Sequence, residues 1–157
     1  MKLNQSKIHR FDAKPYQFVI VWSRFNDNLG SELFKNTEKT LLRYGAQKKN
    51  IKVYRVPGAL EIPVVAVRLA KKKAADVIIA LGVVIRGETP HFEHVSRECY
   101  HGLMETSLCY TIPIVFGVLT VNNKKQAQNR ISSKKMNKGK EYAETAIEMA
   151  ALFKKLR

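Results

Sequence analysis

Short apolar runs alternate with segments in which apolar residues recur at three- and four-residue spacing. Phe18 to Ser23 is a run rich in β-branched residues, closed by the polar stretch Arg24 to Asn28, and it predicts a buried strand. Leu29, Leu33, Phe34, Thr37, Leu41 and Leu42 then mark one face of a helix, with Asp27 or Asn28 placed to cap it and Gly45 to end it. The unit repeats. Ile51 to Val56 predicts a second strand, turned at Pro57 and Gly58, and Pro63 opens a helix that ends in Lys71, Lys72 and Lys73. Val77 to Val84 is a third strand, followed by a helix over about 91–108. Ile112 to Thr120 is a fourth, followed by a short helix near 124–130 and a longer one over about 140–156.

Strands and helices thus alternate four times, and the strands read as apolar on both faces. That pattern predicts a parallel sheet covered by helices on each side. With right-handed crossovers, the simplest arrangement is an α/β, flavodoxin-like three-layer α/β/α sandwich on a four-stranded parallel sheet. One domain spans 1–157, and its first residues, 1–14, read as a flexible or extended N-terminal arm with little beyond Leu3, Ile8 and Phe11 to bury.

Composition narrows the classes. The chain has 157 residues, 45% of them hydrophobic and 26% charged, as in a soluble globular protein. No apolar run reaches the roughly 20 residues of a membrane span, and the first residues lack the apolar core of a secretory signal, so the expected location is cytoplasmic. Cys99 and Cys109 are too few and too far apart for a disulfide framework or a paired-cysteine metal motif, and both read as reduced thiols. Twenty-eight Lys plus Arg against thirteen Asp plus Glu give a net charge of +15. Such a surface attracts anions, but no recognisable nucleic-acid-binding motif accompanies it, so nucleic acid is expected only as a nonspecific polyanion.

In parallel sheets of this kind ligands bind beyond the carboxyl ends of the strands, and the unusual residues collect there. Phe25 is an aromatic ring in a polar turn: either it folds back on the core or it offers a stacking platform for a flat heterocycle. Glu61 stands in a first helical turn, as a capping charge or as an acceptor for ligand N–H groups. Glu88, Thr89 and Pro90 lead into a helix, with Thr89 suited to the cap and Pro90 to the first position. Such a terminus attracts phosphate, and His91 in its first turn is either structural or a proton shuttle. His91, His94 and Glu98 do not make a convincing ligand set, so no metal is expected. From Val121 to Arg157 there are ten Lys or Arg against three Glu. Arg130 and Lys138 flank a loop that is either a solvated basic segment or a phosphate site, Arg130 supplying the planar fork and Lys138 a point charge.

Taken together, Phe25 and Asn26, the runs Val56 to Pro63, Ala80 to Val95 and Pro113 to Thr120, Gln126 and Ala127 with Arg130, and Asn137 to Gly139 resemble the lumazine synthase family in order and spacing over about 8–157. The resemblance implies a transferase of riboflavin biosynthesis. It would condense 5-amino-6-(D-ribitylamino)uracil with 3,4-dihydroxy-2-butanone 4-phosphate to 6,7-dimethyl-8-ribityllumazine, releasing phosphate and water, with no cofactor. By motif, Phe25 would stack on the pyrimidine. Ala59, Leu60 and Glu61 with Val83, Val84 and Ile85 would hold the ring and ribityl chain, and Glu88 and Thr89 would meet the phosphorylated ketone. His91 would transfer protons, Phe116 would cover the pyrimidine, and Arg130 with Lys138 would bind phosphate. The family places Phe116 and Arg130 in a neighbouring subunit of a homopentamer, and some members build an icosahedral capsid. The resemblance further implies a partnership with riboflavin synthase and an N-terminal arm that adds a strand to a neighbour. Ser132 and Ser133, followed by Lys134 and Lys135, depart mildly from the family pattern.

Overall fold

A computed structural model describes residues 11–157. Its four strands are β1 (Phe18–Ser23), β2 (Ile51–Val56), β3 (Val77–Ile85) and β4 (Ile114–Val121). They form one sheet in the order β2-β1-β3-β4, with every pair parallel. The helices are α1 (Asp27–Arg43), α2 (Ile62–Lys71), α3 (His91–Tyr110), α4 (Lys124–Ile131) and α5 (Lys138–Lys155). The three-layer flavodoxin-like arrangement read from the sequence is the one observed.

Alternation along the strands sorts the core into two clusters. Phe18, Ile20 and Trp22 of β1 share one cluster with Ile79, Leu81 and residues of α1, α4 and α5. Val19 and Val21 point the other way, with Ile78, Ala80 and residues of α2 and α3. The outermost strand departs from the sequence reading. Lys52, Val53, Tyr54 and Arg55 of β2 are all exposed, so this strand is not apolar on both faces. It lies at the edge, where covering helices reach only its ends. Arg55 compensates on one side: its guanidinium sits 3.9 Å from the Trp22 ring centroid and pairs with Asp27.

Helix ends show which local signals operate. Gly45 (φ 98°) ends α1 as expected: the Ala46 N–H donates to Leu41 O and the Gly45 N–H to Leu42 O, the paired bonds of a Schellman closure. At the other end the cap is neither Asp27 nor Asn28 but Asn26, in the left-handed region at φ 59°. Its side chain makes no capping bond and donates instead to Val83 O at 2.8 Å, tying the β1 turn to β3. Helix α3 starts at His91, as its periodicity suggested, but Pro90 rather than Thr89 stands in the capping position. Helix α5 begins at Lys138, two residues earlier than its periodicity suggested, because Asn137 caps it by accepting from the Lys140 N–H.

Most of the expected arm lies outside the described residues. Of its last residues, Ala13 is fully buried and donates its N–H to Tyr44 O at 2.9 Å, and the Phe11 ring packs 5.0 Å from that of Tyr44.

Candidate active site

The carboxyl ends of β1, β2 and β3 open into a cleft of about 480 Å³. This is within the size range of small-molecule sites. Nine of the thirteen residues proposed from sequence line it: Phe25, Ala59, Leu60, Glu61, Val83, Val84, Ile85, Thr89 and His91. Their convergence follows from the topology. Parallel strands deliver successive βα turns to one edge, and the order β2-β1-β3 brings the first three turns side by side.

The turn after β1 is held by the Arg24 N–H donating to Val56 O (2.8 Å) and the Phe25 N–H donating to Pro57 O (3.1 Å). That backbone pairing leaves the Phe25 ring 72% exposed. It does not fold back on the core, so the apolar ring stands at the mouth of the cleft. Below it, Ser23 is buried, and its hydroxyl lies where a Cβ on Gly82 would come within 2.8 Å. A side chain at position 82 would have to displace that hydroxyl from its place below the cleft.

Glu61 closes a single 3-10 turn, Ala59–Glu61, that precedes α2. One carboxylate oxygen accepts the Gly58 N–H at 2.7 Å. The plainer sequence reading is therefore part of the answer: Glu61 caps its own turn, and that bond fixes the carboxylate on the cleft wall with its second oxygen uncommitted. The Thr89 hydroxyl faces the His91 N–H at 3.4 Å, and the His91 side chain is exposed to the cleft at the start of α3. An imidazole that shares a cleft with a hydroxyl and a carboxylate, at the start of a helix, can exchange protons with a bound carbonyl or amine.

Four proposed residues are not in this cleft. Glu88 is exposed in the preceding turn and is not among the lining residues. Phe116 lies on β4, partly buried, and stacks on Tyr100 with ring centroids 5.9 Å apart. Arg130, half-buried in the last turn of α4, donates to its own Gln126 O at 3.2 Å. Lys138 is paired with both oxygens of Glu141 at 2.8 Å. Tyr142 follows in α5; burial holds its phenol well above the ordinary range, opposed in part by the Arg130 charge.

The lining also includes Ser23, Gly58, Gly87, Phe92 and Val95, which the sequence reading did not single out. Phe92 carried a usable signal, an aromatic ring next to the candidate histidine. Val95, one turn further along α3, did not, because an apolar residue there reads as core. Among the described residues, no group of three or more His, Cys, Asp or Glu side chains is arranged to hold a metal ion.

The sequence profile described as 6,7-dimethyl-8-ribityllumazine synthase matches residues 15–154. Among relatives of that name, the protein of Syntrophus aciditrophicus is 48% identical over 147 residues, covering 94% of this chain and 96% of its own. The protein of Chlorobium limicola is 46% identical over 142 residues, covering 90% and 92% respectively. That of Chlorobium phaeobacteroides is 44% identical over 142 residues, with the same coverage of each chain. Nearly the whole described fold, including every cleft-lining residue, lies within the matched span, and the chain belongs to the 6,7-dimethyl-8-ribityllumazine synthase family.

Proposed function

We propose that the protein condenses 5-amino-6-(D-ribitylamino)uracil with 3,4-dihydroxy-2-butanone 4-phosphate to form 6,7-dimethyl-8-ribityllumazine, releasing phosphate and water. The observation that carries this reading is the convergence of Phe25, Glu61, Thr89 and His91 on one cleft in a chain of this family. Phe25 stacks on the pyrimidine, and the segments 59–61 and 83–85 line the ring and ribityl chain. His91 shuttles protons: one toward the carbonyl oxygen that leaves as water when the amine forms the imine, and others as phosphate departs and the ring closes.

The amine is already a competent nucleophile, so the protein contributes mainly placement. Holding two reactants in register accounts for a large share of such accelerations. Phosphate needs cations, and among the described residues this cleft's lining contains neither Lys nor Arg. Arg130 and Lys138 supply them, with Phe116, to the cleft of an adjacent copy. The working form is therefore a homo-oligomer, a pentamer or a capsid of pentamers, and it is cytoplasmic. Riboflavin synthase, which consumes the product, is its natural partner.

The test is the absorbance of the yellow product on mixing protein with both substrates. The His91→Ala variant should turn over about 10- to 100-fold more slowly, since acid–base catalysis is lost while placement survives. Absence of turnover by the folded wild type would leave a ligand carrier. Unchanged or wholly abolished turnover in the variant would remove His91 from the role assigned.

A further inference from the structure

Arg86 is the one cation in the turn between the third strand and His91, and neither the fold nor the proposed chemistry yet accounts for it. Its backbone N–H donates to Val121 O at 2.9 Å, extending the β3–β4 ladder past the end of β3. Its side chain then reaches two other segments. Nε donates to Asn122 Oδ1 at 3.0 Å, and the guanidinium pairs with Glu93 while lying 4.4 Å from the centroid of the Phe92 ring. Asn122 in turn donates its backbone N–H to Gln126 Oε1 at 2.8 Å, on α4. One side chain thus connects the β3 exit, the β4–α4 turn and the first turn of α3, where His91 and Phe92 line the cleft.

Stability does not explain the arrangement. Both partners are about half exposed, and exposed ion pairs contribute little, typically ~0–1 kcal/mol. Phosphate binding does not explain it either: Nε and Nη1 are engaged by Asn122 and Glu93, the Phe92 ring lies against the guanidinium, and Arg86 does not line the cleft. What remains is geometry. A planar guanidinium can hold a carboxylate, an amide oxygen and a ring face at fixed mutual angles, and an ammonium cannot. The interaction with Arg86 also holds the Glu93 carboxyl below its usual range.

We propose that Arg86 is a positioning residue for the condensation, fixing the first turn of α3 through Glu93 and Phe92 and thereby the orientation of the His91 imidazole. This rests on the role proposed for His91. Misplacement of a catalytic group by about 1 Å can cost up to 100-fold in rate, so a loosened first turn affects turnover more than substrate binding.

Arg86→Met keeps the stem and loses the fork; Arg86→Lys keeps the charge and loses the plane. Both should lower kcat roughly tenfold relative to wild type, with KM for the phosphorylated ketone within about twofold and little change in melting temperature. Glu93→Gln should lower kcat in the same direction, and the double variant Arg86→Met with Glu93→Gln should be no slower than the slower single one. A rise in KM with unchanged kcat would make Arg86 a substrate ligand and overturn the assignment, as would full activity in Arg86→Lys. Hydrogen exchange gives a readout independent of turnover. Amides of 91–96 should exchange faster in Arg86→Met while those of 141–150 do not change. Unchanged exchange at 91–96 would refute the clamp even if the wild type proved inactive, whereas faster exchange with an inactive wild type would refute only the reaction.

Discussion

Gly139, the second residue of α5, lies against α1 so closely that a single methyl group has nowhere to go. A Cβ there would stand 2.7 Å from Asn36 Cβ, 2.8 Å from Leu33 O and 3.0 Å from Thr37 N. Two of these are backbone atoms in the middle of a helix, so relief requires α5 to move away from α1 as a unit. Asn36 is also committed, donating Nδ2 to Ile131 O at 2.9 Å at the end of α4. In Gly139→Ala two effects compete. Alanine favours helix by up to about 1 kcal/mol over glycine, less so in a first turn, while overpacking costs about 1–3 kcal/mol. The steric effect wins by about 1–2 kcal/mol. At roughly 2–4 °C per kcal/mol for a chain of this size, the melting temperature should fall by about 2–8 °C. The assay is a melt of wild type and variant by circular dichroism, at matched concentration and scan rate because assembly contributes to both. A variant melting at or above the wild type would mean that propensity outweighs contact and would refute the reasoning.

Other expectations follow from single groups. Arg130→Ala should raise KM for the phosphorylated ketone more than it lowers kcat, read by steady-state kinetics; an unchanged KM removes Arg130 from phosphate binding. Thr111, a β-branched residue at φ 50° just after α3, pays for a left-handed backbone conformation, so Thr111→Asn should stabilise by roughly 0.5–1 kcal/mol in denaturant melts. Burial pushes the Cys99 thiol up to about 11, whereas Cys109 is exposed. Brief alkylation of the native protein followed by mass spectrometry should therefore modify Cys109 and spare Cys99. The raised value also fixes a sign: unfolding releases a thiol that ionises near pH 9, so this contribution to stability is full below pH 9 and is lost as pH rises toward 11, measurable by denaturant melts across that range.

Much of this architecture was legible because each strand of the sheet has a distinct apolar signature. Phe18–Ser23 and Ile51–Val56 match their predicted bounds, and Gly45 ends its helix as a glycine in that place should. The errors have physical causes. Asn26 displaced Asp27 and Asn28 as cap because its side chain found a more distant carbonyl, Val83 O, which no local pattern reveals. The expectation of strands apolar on both faces fails at β2, because burial depends on strand order and β2 lies at the edge. The cleft was legible where successive turns supply it, as with Phe25, Glu61 and His91. Val95, one turn into α3, lines it through spatial adjacency alone. The separation of Phe116 and Arg130 from this chain's cleft was foreseen only through family resemblance, and that of Lys138, which pairs with Glu141, was not foreseen.

The open flank of β2 has a consequence for handling the protein. Its outer backbone N–H and C=O groups have no partner strand among the described residues, and any extended peptide can pair with such a row, including the same flank of a second molecule in the wrong register. Lys52 and, to the extent that Asp27 does not offset it, Arg55 place positive charge along it, so two flanks meeting head-on repel each other. That protection is electrostatic and therefore fades with ionic strength. Concentrated stocks in high salt, or variants that neutralise these two positions for other purposes, are where fibrous aggregates would begin.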